Sequence, residues 1–136
     1  QTMMLHQVTR DIRNSNAPQV EENKKPLVSY SKEKGLLMIR EIDRRLIPIH
    51  VEAIKTIISD HLNSRKTIDI VLQISEVSKV NLPLFFSLFK YCKGLSEWDK
   101  RIDIAWYISD DDFNMQRLAH DFKELYQLNL RIFQIS

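Results

Sequence analysis

Three sets of side chains in this sequence are of types that do chemistry. Asp110, Asp111 and Asp112 stand side by side, four histidines are scattered along the chain, and Cys92 is its one thiol. Adjacent carboxylates suit a hard cation. They equally suit a helix start, where Ser109 and Asp110 are good N-cap residues and acids of the first turn meet the positive end of the dipole. Capping is the reading adopted here. His50 and His61 lie eleven positions apart in one helical stretch with no third ligand nearby, and are expected on the helix surface. Cys92 falls among apolar residues and behaves as a small hydrophobe. No nucleophile can be paired with a base by spacing. The sequence therefore names no catalytic residue, no metal and no cofactor, and the chain is read as acting by binding.

Composition narrows the classes further. The 136 residues suffice for one domain with a core. Apolar residues at 43% and charged residues at 28% are ordinary for a globular protein. A net charge of +2 gives no concentrated basic footprint, so nucleic acid is not an expected partner. No apolar run approaches the ~20 residues that span a bilayer, and the N-terminus lacks the apolar segment of a signal peptide. A single cysteine allows no intrachain disulfide, and a cytoplasmic location is expected. Gly35 and Gly94 are the two glycines, too few for a glycine-rich phosphate cradle.

The elements that must position any site follow from periodicity. Residues 1–26 are polar and weakly periodic, and read as a tail or linker. Met3, Met4, Val8 and Ile12 mark one short amphipathic helix within it, a candidate docking or dimer-exchange arm. From residue 27 to 136 the texture is that of a folded domain. Residues 27–31 and Leu36 to Ile42 read as antiparallel strands joined by a turn at Gly35, the second covered on both faces. Pro48 suits the first turn of a helix, and Val51, Ile54, Ile58 and Leu62 recur every three or four positions. Thr67 to Ile74 alternates cleanly and is the best strand, so a parallel crossover is expected. Val77 and Val80 tuck the next loop onto the core, and Asn81 caps a helix with Pro83 in its first turn and Leu84, Phe85, Leu88, Phe89 and Cys92 as its stripe. Phe86 and Tyr91 lie off that stripe, facing solvent or a neighbouring helix. Ile102 to Ile108 is another strand. Phe113, Met115, Leu118, Ala119, Phe122 and Leu125 supply a helix, and Asn129 turns the chain into a last strand to Ile135. The order is β-β-α-β-α-β-α-β: an α/β fold with a mixed sheet and helices mainly on one face.

Residues 35–135 resemble the STAS domain, the fold of the anti-sigma factor antagonist SpoIIAA. The resemblance rests on GLLMIREIDRRLIPIHVEAIKTIISDHL, similar to the family's opening strand, loop and first helix. It rests also on IVLQISEVSKVNLPLFFSLF, similar to its apolar strand, small polar loop and apolar helix. In phosphorylated members a serine at that helix start is the switch, because phosphate there repels a partner. Here the family's Asp falls on Asn81 and its serines on Leu82 and Pro83, so the usual acceptor is missing. WYISDDDFNMQRLAHDF resembles the SiaC-like regulators, whose acceptor is the Thr of an Asn-Thr-Ser-Ser motif. That motif is replaced by Asn81-Leu82-Pro83-Leu84. LFKYCKGLSEWDKRIDIAWYISD and LNLRIF resemble instead the SpoIIAA-like branch related to CRAL-TRIO lipid-binding domains.

The resemblance implies a bacterial regulatory domain that binds a kinase, an anti-sigma factor or a signalling enzyme. Ser75, Ser78, Asn81, Leu82, Pro83, Phe86, Asp110 and Asp111 are the expected partner-binding residues. Ser75, Ser78 and Ser87 remain as hydroxyls open to phosphorylation. The alternative is a carrier of a lipid or other small apolar ligand, with a cavity beneath Phe85 and Phe89. A homodimer is compatible with either.

Overall fold

Ile68, Ile70, Leu72 and Ile74 occupy alternate positions of one strand and all are buried, whereas of the residues between them Asp69 is exposed and Val71 and Gln73 are half-buried. That period of two places one face of the strand against the core. In the computed structural model, which describes residues 26–42 and 44–136, this strand is the centre of a five-stranded sheet. The elements are β1 (Val28–Ser31), β2 (Leu36–Glu41), α1 (Pro48–Ser64), β3 (Thr67–Ile74), α2 (Leu82–Ser96), β4 (Arg101–Ser109), α3 (Phe113–Tyr126) and β5 (Asn129–Ile135). The expected order holds element by element. The tail expected over residues 1–26 lies outside the described residues except for Pro26, and so do the helix expected within it and Asp43.

The strands lie in sequence order, β1 antiparallel to β2 and every later pair parallel. Three right-handed crossovers advancing the same way across a sheet put their helices on one face. Burial agrees. Ile102, Ile104, Trp106 and Ile108 of β4 and Leu37 and Ile39 of β2 are buried, while the residues between them in β4 and β2 are exposed or half-buried. β2 is therefore covered fully on one face only, where both were expected. On the covered face Trp106 lies under α2 and α3. Its ring centroid is 6.2 Å from Phe85, 5.7 Å from Phe89 and 6.4 Å from Phe122. The space beneath Phe85 and Phe89, where an apolar ligand would have sat, is thus filled by side chains. Phe86 leans edge-on against Phe122 of α3 at 4.9 Å, and Lys55 of α1 lies over the Tyr91 ring. Both off-stripe aromatics of α2 pack against neighbouring helices.

His61 departs from expectation. It is 2% exposed and its Nδ1 is hydrogen-bonded to the Tyr30 hydroxyl at 2.5 Å, so it belongs to the interior and not to the surface of α1. The close turn at Gly35 makes room for it. Gly35 has φ +62, and a Cβ there would stand 3.2 Å from the imidazole Nε2. Side chains rarely adopt that backbone, and one there would crowd the imidazole. Other local differences are small. The left-handed residue that ends α3 is Gln127, and Asn129 already belongs to β5, donating its amide to Asp103. Phe113 and Leu125 are in α3 but exposed, because they fall away from its Met115, Ala119, Phe122 stripe.

Burial, with Arg65 and Lys32 adding to it, holds the His61 pKa below the ordinary histidine value. Above about pH 6.5 the residue is neutral whether folded or unfolded, and its contribution is complete. As pH falls below that value the unfolded chain takes a proton that the folded one refuses, and stability drops. Urea unfolding at pH 7.5 and 5.5 should show a larger loss in the wild type than in His61→Gln. Equal losses in the two would remove His61 as the cause.

Candidate functional site

A buried carboxylate organises the edge of the sheet at the C-terminal ends of the parallel strands, where open α/β sheets commonly carry their sites. Glu41 ends β2 on the same face as Leu37 and Ile39, and only 3% of it is exposed. Its Oε2 accepts from the Leu46 N–H at 2.7 Å, and its Oε1 from the Asn81 amide at 3.1 Å. Its backbone carbonyl accepts from both the N–H and the hydroxyl of Ser75, at 3.1 and 2.8 Å. One residue thereby ties down the loop before α1 and the loop before α2. Burial raises the Glu41 carboxyl pKa, opposed by its bonds to Leu46 and Asn81 and by Arg45.

Asn81 is as buried as Glu41 and is not the cap expected of it. It makes no side-chain cap bond, and its backbone is already helical. Its amide donates to Glu41 and to the Glu76 carbonyl at 3.0 Å, while its Oδ1 accepts from the Ser78 N–H at 2.6 Å. The side chain holds the β3–α2 loop closed on itself, and is inaccessible to a partner. Val80, expected to tuck inward, is 84% exposed at the loop's crest. Ser75 is spent on the Glu41 carbonyl. Ser78 stays half-buried, its hydroxyl 3.4 Å from Asn81 Oδ1 and accepting from the Val80 N–H.

Between this loop and the start of α3 runs a groove of about 570 Å³. Val77, Leu82, Met115 and Leu118 give it apolar walls, and Ser75, Glu76, Ser78, Lys79, Asp112 and Asn114 supply polar groups. Ile42, Ile47, Phe113 and Ile135 are exposed at the same sheet edge. Of the expected partner-binding residues, Ser75, Ser78 and Leu82 line the groove. Pro83 is exposed in the first turn of α2, and Phe86 is partly exposed against Phe122, but neither lines it. Asp110 and Asp111 sit outside it as well. The cap of α3 is Asp112, accepting from the Met115 N–H at 3.0 Å, and not Ser109 or Asp110. Ser109 instead donates to Asp111, at 2.6 Å. Ser87 faces α1, where its hydroxyl meets Lys55 Nζ at 2.7 Å. Among the described residues no three His, Cys, Asp and Glu side chains gather as a metal site.

Sequence reasoning missed Glu41, Met115, Leu118 and Asn114. A signal existed for the first, since alternation places Glu41 with Leu37 and Ile39, and a carboxylate on a core face needs dedicated partners. For the rest the apolar stripe of α3 gave no sign of which members would border a groove.

The element order and sheet topology define a SpoIIAA/STAS-like α/β domain. A model of the SiaC family of regulatory phosphoproteins matches residues 20–135, and the chain belongs to that family. The crystal structure of the diguanylate cyclase SiaD in complex with its activator SiaC, from Pseudomonas aeruginosa, contains a chain of the same fold. The TM-score is 0.69 at 9% identity, over 79% of this chain and 90% of that one. No curated protein matches the chain by sequence.

The Glu41–Asn81 bond sets a prediction. Asn81→Ala leaves a buried carboxylate oxygen without its partner and should cost about 1–3 kcal/mol. Asn81→Asp places a second acid against Glu41, so its deficit should be larger at pH 7 and shrink as the pH is lowered toward 5. Chemical denaturation of the three chains at both pH values measures this. An Asn81→Asp deficit independent of pH would show that the two groups do not interact.

Proposed function

We propose that this chain is a non-enzymatic regulator that docks on a signalling enzyme through the groove between the β3–α2 loop and α3. The observation that carries the reading is the groove itself. Apolar side chains on Leu82, Val77, Met115 and Leu118 line a concave surface with a polar rim, on a scaffold fixed by Glu41 and Asn81. Such a surface has the form of a protein interface, with apolar anchors ringed by polar groups that exclude water. Membership of a family of regulatory phosphoproteins supports the role. The activator in the SiaD–SiaC complex, a protein of the same fold, supports a diguanylate cyclase as the first enzyme to try. Expected partner contacts remain at Ser75, Ser78, Leu82, Pro83 and Phe86 and at the acidic start of α3, Asp110 and Asp111. The surroundings would be cytoplasmic.

The variants that test this are Leu82→Ser and Val80→Asp, the second at an exposed position where folding has little at stake. Each is added to the purified diguanylate cyclases of the source organism, and cyclic dinucleotide production and binding are followed. A cyclase that responds to the wild type should bind Leu82→Ser at least about thirtyfold more weakly, the effect of losing an interface anchor of about 2 kcal/mol. Full response to both variants, with unfolding midpoints unchanged, would move the docking site elsewhere.

Regulation by phosphate would fall on Ser78. Leu82 and Pro83 have no hydroxyl, Ser75 donates to the Glu41 carbonyl at 2.8 Å and Ser87 is held by Lys55 at 2.7 Å, whereas the Ser78 hydroxyl makes only the longer contacts to Asn81 and Val80, at 3.4 and 3.3 Å. A phosphate on Ser78 would bring about two negative charges into a groove already lined by Glu76 and Asp112. Phosphopeptide mapping of protein from its own host should find Ser78 modified, and Ser78→Glu should weaken partner binding. Phosphate found on Ser75 or Ser87 instead would overturn the assignment.

A further inference from the structure

The sheet order puts β5 at one edge, and among the described residues no strand pairs with its outer side. Exposed edges are ordinarily blunted by shortness, by proline or lysine, or by a bulge. β5 has none of these. It runs over seven residues, Asn129–Ile135, and its one charged side chain is Arg131. Its register against β4 is unbroken from the Asp103–Asn129 pair to the Ser109–Ile135 pair. The Ile135 carbonyl accepts from the Asp110 N–H at 2.7 Å, so Asn129, Arg131, Phe133 and Ile135 turn their backbone groups toward β4. Those of Leu130, Ile132 and Gln134 point outward.

We propose that β5 pairs antiparallel with β5 of a second copy, across a twofold axis at Ile132, joining the two sheets into one. The strand's fit to itself selects this occupant. With the axis at Ile132, Leu130 of each copy faces Gln134 of the other, and Ile132 faces its own image. Every outward backbone group then has a partner, about six hydrogen bonds in all. On the open face of the sheet the same register sets Arg131 opposite Phe133 of the second copy. That adds a cation–π contact to the one Arg131 makes with its own Phe133 ring, at 5.6 Å. An axis at Arg131 would set two guanidinium groups against each other. An axis at Phe133 would place Leu130 opposite Ser136, beyond the end of the strand. The interface is isologous, so one patch serves both copies. No residue of β5 lines the groove, and pairing here is independent of the docking proposed above.

The test is disulfide trapping in the whole chain. Arg131 and Phe133 of the second copy would form a non-hydrogen-bonded pair with Cα atoms about 4.5 Å apart, within disulfide reach. The two Arg131 positions, like the two Phe133 positions, would be about 8 Å apart and out of reach. Under mild oxidation, mixed Arg131→Cys and Phe133→Cys chains should form the heterodisulfide at least about tenfold faster than either variant forms a homodisulfide. Burial pushes the Cys92 thiol pKa up to about 12, so that thiol does not compete. Sedimentation of the wild type from micromolar to millimolar concentration should show monomer passing into dimer. Gln134→Pro removes an outward N–H and no bond to β4. It should stay monomeric, with the unfolding midpoint of the dilute chain unchanged. A wild type that stays monomeric over that range, a dimer that survives Gln134→Pro, or disulfides that form as fast in the single variants as in the mixture overturns the proposal.

Discussion

A carboxylate shut away from water is costly unless its oxygens are occupied, and Glu41 meets that condition by recruiting both loops of the sheet edge. Leu46 approaches from one loop and Asn81 from the other, while the Glu41 backbone holds Ser75. Removing one partner of such a group costs more than the bond was worth, because the remainder stays buried and unpaired. The shape of the loop edge is thus coupled to a requirement of the core. The contact that fixes the groove wall is made by residues that are themselves buried.

Topology decides where that edge can be used. Because β2 to β5 run parallel in sequence order, the starts of α1, α2 and α3 come to the same end of the sheet. Segments about thirty residues apart in sequence, the β3–α2 loop and the start of α3, become the two walls of one groove. Beneath it, Trp106, Phe85, Phe89 and Phe122 pack as one aromatic cluster. This cluster makes the region beneath α2 a scaffold, while Val80 and Phe113 are exposed at the loop edge above it.

The sheet is correspondingly two-sided. One face is finished by three helices, and the other is mixed, with half-buried Met38, Val71, Ala105 and Tyr107 beside exposed Asp69 and Arg131.

Periodicity by itself determined the element order, because alternation in Ile68–Ile74 and Ile102–Ile108 and the spacing of Val51, Ile54, Ile58 and Leu62 are local consequences of strand and helix geometry. It also placed the β3–α2 loop at the C-terminal edge of the sheet, where Ser75, Ser78 and Leu82 border the groove. What it misjudged were side chains whose partners are distant in sequence. Asn81 looked like a cap until Glu41, forty residues away, claimed its amide, and His61 looked like a surface residue until Tyr30 was brought against it. Asp112 took the capping role from its two neighbours by backbone geometry that no residue type announces. Local pattern reports which face of an element is buried. Only the folded chain reports which polar group meets which, because hydrogen bonds between strands and loops depend on register and topology and not on sequence neighbours.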